Sequence, residues 1–129
     1  MVITGLVFAG IAALIHVYIF YMESIAWTGD RSRATFGIAS REEAEMTKAL
    51  AFNQGFYNLF LALAVMAGII VFAAGNTTVG ATLMFVGAGS MIAAGAVLLL
   101  SSPSKAPAAL KQLLPPLLGV VALAIGLSL

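Results

Sequence analysis

His16 and Glu23 are the side chains of this sequence best suited to moving a proton, an imidazole and a carboxyl on one apolar stretch, His16-Val-Tyr-Ile-Phe-Tyr-Met-Glu23. His16 is the only histidine, and Glu23 is the only acidic residue inside a membrane-length apolar run. A carboxylate in hydrocarbon costs roughly 2.5–3.5 kcal/mol on insertion scales, so it needs a partner or a task. The seven-residue spacing corresponds to ~10.5 Å of helical rise, too far for a direct hydrogen bond. The two therefore read as a proton donor and acceptor acting across an intervening amide, water or ligand.

A second polar set lies in Asn53-Gln54-Gly55-Phe56-Tyr57-Asn58. Asn53, Tyr57, Gln54 and Asn58 form two i,i+4 pairs, read as one side of a helix, with Phe52, Phe56 and Leu59 on the other. Amides in hydrocarbon need hydrogen-bond partners, so this side is expected to face Glu23 and His16. Gln112 follows Lys111 near the start of the last apolar run and falls at a matching depth. Asn53, Gln54, Tyr57, Asn58 and Gln112 are thus the candidate ligand-binding residues, with Trp27 at the end of the His16–Glu23 stripe. Tyr21 reads as an aromatic-belt anchor.

The elements that must position these groups follow from composition. Of 129 residues 62% are hydrophobic and only 9% charged, whereas ordinary domains carry about 25% charge. The expected fold class is an all-α integral membrane protein, one domain over residues 1–129 built as a four-transmembrane-helix bundle. Its spans are read at about 2–27, 41–74, 78–100 and 107–128. Ser40-Arg-Glu-Glu43 has the form of a capping box in which Ser40 and Glu43 satisfy each other's amides. Gly75-Asn76 marks the next turn, and Pro107 opens the fourth span. Pro115-Pro116 fall inside that span, predicting a kink and freed carbonyls near Lys111 and Gln112.

On the first span Gly5, Ala9, Ala12, Ala13, His16, Phe20, Glu23 and Trp27 share a narrow arc and form the expected inward face. Val7, Ile11, Leu14, Tyr18, Met22 and Ile25 lie opposite, toward lipid. All six Lys and Arg fall in or beside the first and third connections. The positive-inside rule then puts both termini on the outer side of a bacterial inner membrane and those two connections in the cytoplasm.

The composition also excludes. A formal net charge of +1 does not suit nucleic-acid binding. Without cysteine there is neither disulfide nor thiolate chemistry, and one histidine with one intramembrane carboxyl gives too few ligands for a closed metal site, so none is assigned. The cofactor is left open: a haem with one axial histidine is compatible with the sequence, but no second histidine exists to pair with it. Membrane lipid is the expected surrounding partner, and Gly89-x-x-x-Ala93 has the small-residue spacing of a dimer face.

His16 to Glu23 with Trp27, Phe36-Gly37, and Thr47-Lys48-x-Leu50-Ala51-x-Asn53-Gln54-Gly55-x-Tyr57-Asn58-x-Phe60-Leu61-Ala62 together resemble a family of small bacterial four-helix membrane proteins, domain of unknown function 1304. Gln112 and Pro115 match that family's glutamine ahead of a proline in the last helix, with leucines here where glycines are usual. The resemblance covers nearly the whole chain and implies fold and topology. Some members carry epimerase names, but the family has no established activity.

From the residues, the first expectation is a membrane-embedded binder or acid–base enzyme of isomerase or epimerase type for a small hydrophobic molecule. Its polar site would lie in the cytoplasmic half, with His16 and Glu23 catalytic. The alternatives are a small proton- or ion-coupled transporter with Glu23 as coupling acid, or a structural or assembly module whose polar cluster fixes helix packing.

Overall fold

The computed structural model describes residues 1–129. Helix α1 (Val2–Phe20) runs directly into a π-helical turn, Tyr21–Ile25. Short α2 (Asp30–Phe36) follows, then α3 (Arg41–Ala73), α4 (Thr77–Ser101), a 3₁₀ turn (Pro103–Lys105) and α5 (Ala106–Ser128). Four segments, Val2–Ile25, Arg41–Ala73, Thr77–Ser101 and Pro103–Ser128, are long and apolar enough to cross a membrane. The chain has the architecture of an all-α, multi-pass membrane bundle.

The helix ends follow local chemistry. Ser40 Oγ accepts from the Glu43 amide at 3.1 Å, while the Glu43 carboxylate accepts from Ala39 N at 3.0 Å. The expected reciprocal box is thus displaced by one residue on its return bond. Gly37 ends α2 with a φ of 68°, and Gly75 follows α3 with a φ of 101°, conformations that side chains with a Cβ rarely adopt. Asn76 caps α4 by accepting from Val79 N. The connection expected as plain turn from Thr28 to Ser40 contains α2, whose Asp30 pairs with Arg33.

The long helices form a ring: α1 packs on α3 and α5, and α4 packs on the same two. Close contacts set an antiparallel register, with Gly119 beside Ala9, Gly68 and Gly80 beside Met84 and Phe72 respectively, and Gly95 beside Leu113. One half of the bundle is closed by Ala9, Ala12, Ala13, Ala62, Val65, Met84, Ala88, Met91 and Leu123. The other half holds the C-terminal part of α1, the start of α3, the end of α4 and the start of α5. All the basic residues belong to that half.

Helix α5 is continuous through Pro115 and Pro116. Neither proline has an amide proton, so the carbonyls of Lys111 and Gln112 cannot accept the usual i+4 bond. The helix tolerates the pair because its other turns stay packed on α1 and α4.

Small residues decide how closely these helices pack, as expected where lipid supplies no hydrophobic drive between them. A Cβ on Gly80 would lie 2.4 Å from Phe72 N, whereas one on Gly89 would meet nothing within 4 Å. Gly80→Ala should therefore destabilise the bundle by about 1–3 kcal/mol through overpacking against backbone. Gly89→Ala should be neutral or slightly stabilising, and reversible unfolding of both variants in mixed micelles checks the contrast.

Candidate functional site

The polar site begins at the π-helical turn. Five residues in the wider turn, closed by a bond from Ala26 N to Tyr21 O at 2.9 Å, change the direction in which later side chains leave α1. Met22 and Glu23, both within the turn, are buried. Met22 was expected to face lipid from an unbroken 100° periodicity, which the extra residue of the turn interrupts. Tyr18, assigned to the same lipid side, lines the cavity described below.

This turn sits on Gly55 of α3. A Cβ there would displace the Ser24 hydroxyl and lie 3.0 Å from Ser24 N and 3.1 Å from Glu23 Cβ, so glycine admits the approach without a shift of the turn. Ser24 Oγ then donates to Phe52 O at 2.8 Å, tying the two helices together. Three residues beyond Gly55, Asn58 Nδ2 donates to Glu23 Oε2 at 2.7 Å. Glu23 is 8% exposed, so this amide is a partner for an otherwise costly group. Trp27 lies past the helix end, where its Nε1 donates to Thr47 Oγ1 at 3.1 Å and its ring packs on Phe36.

Glu23 and Asn58 stand on the wall of a cavity of about 740 Å³. Its α1 side carries Ile15, Tyr18, Ile19 and Met22, and its α4 side Ala94, Val97, Leu98 and Ser101. Gln54, Trp27 and Gln112 also reach it. The size and the mixture of apolar wall with a few polar groups fall within the usual range for small-molecule sites, about 300–1,000 Å³.

The structure therefore gathers Glu23, Trp27, Gln54, Asn58 and Gln112 around one space. Asn53 and Tyr57 are elsewhere: they line a separate shallow groove with Phe56 and Phe60, and Tyr57 is 68% exposed. The physical reason is helix rotation. Gln54 and Asn58 flank the buried strip of Ala51, Gly55 and Ala62, whereas Asn53 and Tyr57 fall across the helix from it. His16 is 1% exposed, does not line the cavity, and its Nδ1 is hydrogen-bonded to Ala12 O at 2.9 Å.

Arg31, Thr35, Phe36, Lys105 and Lys111 complete the cavity wall, and none was a sequence-based site candidate. Lys105 and Lys111 were read only as markers of topology. Their one available signal was adjacency, since Lys111 precedes Gln112 and Lys105 lies one helical stretch before it.

The π turn, its seat on Gly55 and the donor at Asn58 all fall within a segment that matches a family model. That family is described as protein of unknown function (DUF1304), and the match spans residues 10–124. The chain belongs to this family. No curated protein and no solved structure matches the chain.

The split of the polar set gives a direct contrast. Asn58→Leu removes the only hydrogen-bond donor to the Glu23 carboxyl and should cost about 1–3 kcal/mol. Asn53→Leu, on the exposed side, should stay within about 0.5 kcal/mol of wild type. Unfolding midpoints of the two variants in the same micelles measure the difference.

Proposed function

We propose that the protein binds a small, largely hydrophobic molecule taken from the membrane and exchanges a proton with it through Glu23. The observation that carries this reading is a single one: a cavity of small-molecule size has one carboxyl on its wall, held by a neutral amide and by no counter-charge. A carboxyl held by Asn58 can give up or take a proton without breaking an ion pair, which suits general acid–base chemistry of isomerase or epimerase type. Gln54 and Gln112 supply orienting hydrogen bonds from α3 and α5, and Trp27 supplies an aromatic wall.

In this reading His16 acts through packing. Its Nδ1 is engaged by the carbonyl one turn earlier, and the cavity is reached by its neighbours Ile15 and Ile19 instead. The basic end of the bundle, with the cavity, faces the cytoplasm in accordance with the positive-inside rule, and both termini lie on the outer side of the inner membrane.

Native mass spectrometry of the purified protein tests the binding. Wild type should retain a discrete small molecule, and Ala94→Phe, which fills the cavity from an exposed position on α4, should lose it. Indifferent phospholipid on both proteins would defeat the reading. The proton step is tested separately by incubation in D₂O: the retained molecule should gain deuterium on wild type and remain unlabelled on Glu23→Gln.

A further inference from the structure

The cavity has a charge pattern that the proposed reading does not use. Arg31, Lys105 and Lys111 line it, from α2, the 3₁₀ turn and α5, against the single carboxyl of Glu23. The other four acids of the chain, Asp30, Glu42, Glu43 and Glu45, are absent from its wall. None of the three cations is in an ion pair, whereas Arg33 pairs with Asp30 and Lys48 lies 3.9 Å from Glu45. Three separate elements thus bring unpaired positive charge to one concave surface, where a low-dielectric wall strengthens its field.

The lining also changes along the bundle axis. Ile15 on α1 and Ala94 on α4 line the stretch nearest the closed half. From Ile15 to Glu23 is ~12 Å of rise at helical spacing. By the register of Ala9 on Gly119, Gln112 and Lys111 lie level with His16 and Val17, Asn58 and Gln54 follow beside the π turn, and Arg31 and Lys105 come from the connections at the end. The wall is therefore apolar at its inner end and carries its amides and cations from the level of Gln112 and Lys111 outward.

We propose that the occupant is an anionic amphiphile, an apolar chain lying against Ile15, Ile19 and Ala94 with a phosphate or carboxylate head held by Arg31, Lys105 and Lys111. This rests on the reading of the cavity as a small-molecule site and narrows its ligand to one chemical class. Arg supplies a planar fork for such oxygens, and Lys supplies point charge. The head then lies at the membrane boundary, where charged groups remain hydrated, and the chain in the apolar interior of the bundle.

Trp27 is the chain's only tryptophan and lines the cavity, so its fluorescence reports occupancy. The full-length protein in micelles of an uncharged detergent is titrated with decyl phosphate, decanol, decyltrimethylammonium and inorganic phosphate. Decyl phosphate should give a saturable change at least about tenfold tighter than decanol, with none from the ammonium compound or from inorganic phosphate. Arg31→Gln and the double variant Lys105→Gln/Lys111→Gln should each weaken decyl phosphate and leave decanol unchanged, the latter showing that the cavity persists. Arg41→Gln, basic but outside the cavity, should change neither.

Equal affinity for decyl phosphate and decanol would overturn the anionic head while leaving the small-molecule reading intact. Inorganic phosphate binding as tightly as decyl phosphate would replace the amphiphile with a free-anion site. An equal loss in Arg41→Gln would reduce the effect to general attraction of the basic end for anionic surfaces. No saturable response to any of the four probes would overturn the small-molecule reading itself.

Discussion

The contact between the π-helical turn of α1 and Gly55 of α3 governs the arrangement of everything polar in this protein. Without a Cβ on Gly55, the backbone around Ser24 comes close enough for its hydroxyl to bond the Phe52 carbonyl, and the two helices are locked in register. That register puts Asn58 beside Glu23, since the helices are antiparallel: Asn58 follows Gly55 and Glu23 precedes Ser24. The same wide turn carries Met22 and Glu23, and both are buried. π turns recur at functional sites, because one extra residue re-aims a side chain without ending the helix.

Around this contact the bundle divides into a filled half and an open half. Alanines and glycines bring the helices together at one end, where Met84, Met91 and Leu123 fill the remaining space. At the other end the helices carry longer polar side chains, whose charged ends stay in water. Their stems and the connecting segments enclose the cavity. Burying the ring of basic residues would cost far more than leaving a space between the helices, so composition itself opposes closure of this end. Helix α2 and the 3₁₀ turn then become part of the wall as well as links.

The two residues with the strongest chemical signal in the sequence have different roles in the structure. Glu23 has its partner on a neighbouring helix and borders open space, while His16 is bonded to its own helix and packed. Both are polar groups on one apolar helix, and the cost of leaving either unbonded is the same in kind. They differ in what stands opposite: His16 lies in line with the small-residue core, and Glu23 lies at the π turn, beside Asn58 and on the cavity wall. The carboxamides of α3 divide in the same way, Gln54 and Asn58 toward the cavity and Asn53 and Tyr57 away from it.

The sequence by itself determined the class of the protein, four long apolar helices, and the small-residue face of α1 that packs against its neighbours. Length, hydropathy and residue size are properties of the chain that the bilayer thickness and close packing read directly. Family membership was legible in the same way, from Asn53-Gln54-Gly55 and the residues around it. Only the tertiary structure decided which polar residues meet. A 100° wheel assumes an unbroken helix, and the π turn at Tyr21–Ile25 breaks it. The wheel also places Asn53 and Asn58 without saying which neighbour each one faces. Arg31 is far in sequence from Lys105 and Lys111 and reaches them through chain reversals, so their joint charge exists only once the helices are assembled.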